Sequence, residues 1–166
     1  MSQTLYLLRH AKAEPWYPGV NDFTRPLSPR GRKHMDALFA RFGSDIDLPE
    51  QILCSGSTRT RQTLAPLLEA HPELSGITVY TDDIYEATAG KLHALAENAF
   101  NYAGSLMMVG HNPGFEQLAM GVLQPEDRSG IYKMPTGTLA VIEFEDGFQS
   151  GAGQGVLRSW LRRKDL

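Results

Sequence analysis

The sequence has a single cysteine, Cys54, in 166 residues. That excludes a disulfide framework within the chain and agrees with a reducing cytosol, so a cytoplasmic protein is expected. No apolar run approaches the roughly 20 residues that a membrane-spanning helix requires. The N-terminus also lacks the basic start and longer apolar region of a secretory signal. There is no basic surplus: 16 Lys and Arg stand against 19 Asp and Glu, for a net charge of -3. Nucleic-acid binders usually show the opposite balance, so neither nucleic acid nor membrane is expected as a partner. No Walker-type glycine loop is present, which argues against an NTP-driven kinase. A His-Glu-x-x-His segment is missing too. With neither an internal repeat nor a long linker, residues 1–166 are expected to form one domain.

What is present is an ordinary globular balance, 42% hydrophobic and 21% charged. Its organising stretch is Thr4-Leu5-Tyr6-Leu7-Leu8, a buried-strand pattern that ends abruptly in Arg9 and His10. A loop rich in Pro, Gly and Trp follows through Pro29, with Asp22 and Arg25 near its end. Ser28 and Pro29 then predict a helix start, Met35, Leu38, Phe39 and Phe42 its apolar face, and Gly43 its end.

The same grammar recurs. Ile52-Leu53-Cys54 predicts a second strand, followed by Ser55 through Thr63 and a helix that buries Leu64, Leu67 and Leu68. Arg59 falls in that helix's first turn, where a cation is disfavoured by the dipole unless an anion is expected. Ile77 to Tyr80 predicts a third strand, and Thr88 caps a helix carrying Leu92, Leu95, Ala96, Ala99 and Phe100. Leu106 to Gly110 is a further strand, ending in His111-Asn112-Pro113-Gly114. Asn112 as N-cap and Pro113 as first helical residue would place His111 directly before a helix N-terminus, which is a ready anion site. A late strand is expected over Gly137 to Phe144, turning at Glu145-Asp146-Gly147, and a loop over Gln149 to Gly155. Arg158, Arg162, Arg163 and Lys164 are expected on a solvated helix face, and His34, His71 and His93 as ordinary surface or packing residues.

Alternating strands and helices predict an α/β three-layer sandwich: a mainly parallel central sheet with helices on both faces. In such a sheet Arg9, His10, Arg59 and His111 all emerge at carboxyl ends of strands, where ligands bind. Two arginines and two histidines above a helix N-terminus have the charge and donors to hold a phosphoryl group with no metal and no cofactor. A cysteine phosphatase is disfavoured because, in that family's pattern, five residues separate cysteine and arginine, whereas only four lie between Cys54 and Arg59. A zinc site from His10 and His111 lacks a third ligand. A non-catalytic phospho-ligand binder would use the same crevice, but histidine is a poor choice for mere anion capture.

Leu8-Arg9-His10-Ala11, Arg25 through Gly31, Ser55 through Thr63 and Val109 through Pro113 together resemble the histidine phosphatase superfamily, with its phosphoglycerate mutase-like fold. The short chain and Arg25-Pro26-Leu27-Ser28 are most similar to the small bacterial phosphohistidine phosphatases of the SixA type. The family signature has glycine where this chain has Ala11. The resemblance implies that His10 carries the phosphoryl group as a covalent phosphohistidine. Arg9, Arg59 and His111 would neutralise the phosphoryl oxygens, with Arg25 and Asn112 as further phosphate or substrate contacts. A carboxylic acid would protonate the leaving group: Glu86 is the first choice, with Asp83 and Asp22 as alternatives. The implied substrate is phosphohistidine on a protein, the alternative being a small phosphomonoester.

Overall fold

The computed structural model describes residues 1–131, 133–148 and 153–166. Six strands form one sheet in the order β3-β2-β4-β1-β5-β6. They are β1 (Gln3–Arg9), β2 (Gln51–Ser55), β3 (Thr78–Thr81), β4 (Ser105–Gly110), β5 (Leu139–Phe144) and β6 (Val156–Leu161). β3, β2, β4 and β1 are mutually parallel, and β5 runs antiparallel to both β1 and β6. Four helices cover the faces: α1 (Pro29–Phe39), α2 (Thr58–Ala70), α3 (Ala89–Ala99) and α4 (Gly114–Val122).

The alternation of side chains along β1 builds both halves of the core at once. Leu5 and Leu7 pack with Leu106, Met108, and the apolar faces of α3 and α4. Tyr6 and Leu8 point the other way, joining Met107, Val109 and the faces of α1 and α2. Leu5, Leu7 and Leu8 are fully buried, and each such leucine stabilises the fold by about 1.5–3 kcal/mol relative to exposure. A strand buried on both faces explains why β1 is continuously apolar rather than alternating.

Local chemistry sets most element starts as expected. Ser28 Oγ accepts from Gly31 N to start α1, and Thr88 Oγ1 accepts from Lys91 N to start α3. Two boundaries differ. Helix α1 stops at Phe39, and Gly43 (φ 86°) sits in the turn beyond it. At α4, Pro113 takes the cap position and Gly114 begins the helix; Asn112 stands one residue further out and accepts from Glu116 N. Of the loop expected over Gln149 to Gly155, residues 149–152 lie outside the described residues.

The larger correction concerns the C-terminus. Val156–Leu161 is a strand at the sheet edge, and Arg163–Asp165 a single 3-10 turn, where a helix face was expected. The register slips between Val141 and Ile142, so that Val141 faces Ser159 while Ile142 faces Leu157. That bulge breaks the two-residue alternation and puts Leu157 and Trp160 on the same face. Their spacing of three imitates a helix in the sequence. Among the described residues, no helix is long and apolar enough to cross a membrane.

Candidate active site

The carboxyl ends of β1, β2 and β4 are adjacent because β1 and β2 both pair with β4. His10 follows β1 and is fixed by its backbone N–H, which donates to Gly110 O at 2.9 Å. Gly110 precedes His111, and it must be small: a Cβ there would lie 2.7 Å from Ile84 and Phe115. The His10 and His111 rings are thereby held 5.4 Å apart, centroid to centroid.

His10 Nδ1 lies 2.8 Å from Ala11 O. A carbonyl only accepts, so Nδ1 carries the proton and Nε2 keeps its lone pair. Ala11 is itself buried, and its N–H donates to Thr63 Oγ1 at 3.0 Å. Its backbone φ is not among the positive values, so the methyl in place of the family glycine meets no left-handed penalty. Burial pushes the His10 imidazole down to about 3; the Ala11 hydrogen bond opposes this, and His111, Arg59 and Arg9 reinforce it.

His111 has the reverse arrangement. Its Nδ1 lies 3.4 Å from Arg59 Nη2, a group that can only donate, so Nε2 bears the proton and donates to Ser55 Oγ at 2.9 Å. Burial, then the Arg59 charge, lowers His111 to about 4, with Asp22 opposing. Both imidazoles are therefore neutral at pH 7. In the unfolded chain they would take up protons near 6.5. Because the unfolded state then binds more protons, this pair leaves stability undiminished above about 6.5, and stability falls as pH is lowered toward 4 and then 3. The expected NMR result is that the His10 and His111 ring resonances stay fixed between pH 8 and 5. An inflection near 6.5 in either would contradict this electrostatic account.

Arg59 enters from the first turn of α2 and is buried. Its Nη1 donates to Asp22 O at 2.7 Å and its Nη2 to Asp22 Oδ2 at 3.1 Å. Arg9 Nη1 donates to Met134 O at 2.8 Å. Among the described residues, the buried Nε of both arginines lacks a hydrogen-bond partner. Two desolvated cations with unused donors form a site that an oxyanion would complete.

Asp22 is the hub of the other wall. Its Oδ2 accepts from Tyr85 Oη at 2.6 Å, and its Oδ1 accepts from Arg25 Nη2 at 3.0 Å. Partial burial works against its charge, but the hydrogen bonds from Tyr85 and Arg25, with the Arg59 guanidinium, outweigh it and hold Asp22 at about 2. Both its oxygens are thereby occupied by donors, which keeps the carboxylate ionised and leaves it without a free oxygen for a leaving group. Asp83 is exposed and pairs with Lys91 at 3.4 Å. Glu86 lines a cavity of about 460 Å³ together with Asp22, Arg59, Tyr85, His111 and Asn112. It takes a left-handed φ of 56° that turns the chain between β3 and α3.

Arg25 and Asn112 are committed elsewhere. Arg25 uses Nε and Nη2 on Asp22 and Nη1 on Glu14 O, so it meets the site through Asp22. Asn112 Nδ2 donates to Glu116 Oε2 and Met134 O, holding residue 134 against α4. Cys54 is fully buried, and burial pushes its thiol up to about 12, the opposite of an activated nucleophile. Among the described residues, no three His, Cys, Asp or Glu side chains are grouped to hold a metal ion.

Sequence reasoning missed three participants. Tyr85 bonds Asp22 and stands edge-on to His111 at 5.3 Å. Ser55, read only as the start of the segment that runs through Thr63, fixes the His111 tautomer. Met134, 125 residues from Arg9, anchors it through a backbone carbonyl that carries no sequence signal.

A mixed α/β sandwich with this crevice is the phosphoglycerate mutase-like fold. The family model of the histidine phosphatase superfamily (branch 1) matches residues 5–113, from β1 through His111, and the chain belongs to that superfamily. It is accordingly a hydrolase. The uncharacterized protein Rv1276c of Mycobacterium tuberculosis is 32% identical over 114 residues, 68% of each chain. The structure of a protein from Agrobacterium tumefaciens, provisionally named phosphohistidine phosphatase SixA, is 28% identical, with a TM-score of 0.82 over 96% of this chain and 97% of that one. A second, from Nakamurella multipartitia with the same provisional name, shares the fold at a TM-score of 0.81 and 24% identity, over 98% and 96%.

Proposed function

We propose that this chain is a metal-independent phosphatase that takes phosphoryl groups from phosphohistidine on proteins, through a covalent intermediate on His10. The observation that carries the reading is the His10 ring: its Nδ1 proton is tied to Ala11 O, leaving Nε2 free to attack. Attack forms an Nε2–P bond as the bond from phosphorus to the substrate imidazole breaks. Arg9, Arg59 and His111 surround the charge that spreads over the phosphoryl oxygens. Glu86 gives the departing nitrogen a proton. Its carboxylate then takes one from a water that attacks phosphorus, which releases inorganic phosphate and restores His10. The similarity to proteins provisionally named phosphohistidine phosphatase supports the substrate class. Cys54, the lone buried thiol, suits a reducing compartment, and we infer a cytoplasmic enzyme built as one domain over residues 1–166.

The test is a substrate panel run with chelator present throughout: a phosphohistidine protein, a sugar phosphate and an aryl phosphate. Phosphohistidine is expected to give the highest kcat/KM, and chelator to change nothing. A sugar phosphate that wins, or activity that needs added magnesium or zinc, would overturn the reading. The same panel places the acid. Glu86→Gln keeps the shape and removes the proton, so it should cost on the order of 10²-fold on the alkyl ester, where the leaving group needs that proton most. The cost should be small on the aryl ester and intermediate on phosphohistidine. Equal losses on all three would assign Glu86 to structure or binding.

A further inference from the structure

A second opening lies on the same rim of the sheet. It is a cleft of about 450 Å³ whose lining includes Lys12, Arg30, His34, Arg162, Arg163 and Lys164. Five of these six are permanent cations, in a chain whose net charge is -3, and no Asp or Glu lines the cleft. Arg162 is paired with Asp165 at 3.0 Å. Among the described residues, the side chains of Lys12, Arg30, Arg163 and Lys164 form no ion pair, and all four residues are exposed. His34 forms part of the wall; it is 6% exposed, and its Nε2 has no hydrogen-bond partner among the described residues. Gly137 is packed against that ring so closely that a Cβ would collide with it. The cleft is thus a concentrated positive surface with an unused polar group in its wall, and among the described residues Arg162 alone of its cations is ion-paired.

Register fixes where the cleft stands. Leu8 pairs with Leu139, and Leu139 pairs with Leu161. Arg162 therefore follows its strand at the level where Arg9 and His10 follow theirs, two strands away. At about 4.8 Å per strand, that is roughly 10 Å. The catalytic crevice opens on the other side of β1, toward β4 and β2. The segment between the two openings is shared: Met134 O holds Arg9, while Pro135 and Thr136 line the cleft. A small phosphomonoester seated at His10 cannot span that distance. A protein can, since a partner footprint of about 800 Å² covers both openings.

We infer that this cleft docks acidic side chains of the phosphoprotein substrate while its phosphohistidine enters the crevice at His10. The inference rests on the phosphohistidine reading above and adds what selects the partner: carboxylates displaced by about 10 Å from the phosphoryl group. Charge complementarity of this kind governs encounter and specificity more than chemistry. It should therefore act on KM and leave kcat alone.

The experiment compares two synthetic peptides, each with one phosphohistidine. One carries glutamates about three to six residues away on both flanks, a reach of roughly 10–20 Å in extended chain; the other has glutamine at those places. The wild-type enzyme should show a KM about tenfold lower for the glutamate peptide, an advantage that added salt erodes. In R30Q/R163Q/K164Q, three exposed positions outside the catalytic crevice, that ratio should fall to near one while aryl phosphate hydrolysis stays unchanged. Equal KM values in the wild type, or a ratio that persists in the variant, would overturn the docking role. Calorimetric binding of pyrophosphate that the variant loses, with no glutamate advantage, would make the cleft a small-anion pocket and overturn it too. If neither peptide loses phosphate while the aryl ester does, the phosphohistidine reading itself fails and the docking role falls with it.

Discussion

Replacing His10 with alanine is expected to reduce turnover of every substrate by at least 10²–10⁴-fold. The reason is that, among the described residues, the other candidate nucleophiles near the crevice are not free to attack. Cys54 is fully buried with its thiol pushed up to about 12. His111 Nδ1 faces a guanidinium, and its Nε2 is occupied by Ser55. Ser55 is buried behind that imidazole. The loss should appear in kcat: the buried imidazole is neutral at pH 7, so its removal breaks no ion pair. Residual activity within tenfold of the wild type would mean that His10 is a binding residue and that phosphorus is attacked by something else.

Arg59→Ala is expected to cost about 10²–10³-fold in kcat/KM, the size of losing one preorganised donor to a developing oxyanion. Arg61→Ala, two residues along the same helix, should cost only a few-fold. The two arginines leave α2 in different directions. Arg59 is buried against Asp22 and His111. Arg61 donates to Gly56 O, and its guanidinium lies 4.0 Å from the centre of the Tyr80 ring. Arg59→Lys should recover only part of the loss, because an ammonium keeps the charge without the planar fork that reaches Asp22 twice. Equal losses for Arg59 and Arg61 would mean that the phosphoryl group approaches from the other side of the helix.

The sequence exposed the parts of this fold governed by short-range rules. β1 is legible because burial on both faces makes Leu5 through Leu8 continuously apolar, and α1 and α3 because Ser28 and Thr88 cap them within three residues. His10, Arg59 and His111 could be grouped in advance because parallel strands deliver their ends to one edge. The edge strand β6 was hidden for the converse reason. Its pairing with β5 is long-range, and a bulge gave its apolar residues helical spacing. The same correction turned a supposed solvated helix face into the wall of a cationic cleft. Asp22 shows a subtler limit. Its carboxylate looked like a candidate acid, yet the three groups that disqualify it, Tyr85, Arg25 and Arg59, span residues 25 to 85 and meet only in the folded chain.

The central claim is the covalent phosphohistidine, and trapping it is the most direct measurement. Brief incubation of the wild-type enzyme with phosphoryl-labelled substrate, an alkaline quench and peptide mapping should place the label on the peptide containing His10. The linkage should be stable to base and lost in acid, as an N–P bond requires. His10→Ala treated in parallel should carry no label. Label on Cys54 or on His111 instead, or no labelled protein at all under single-turnover conditions, would contradict the mechanism.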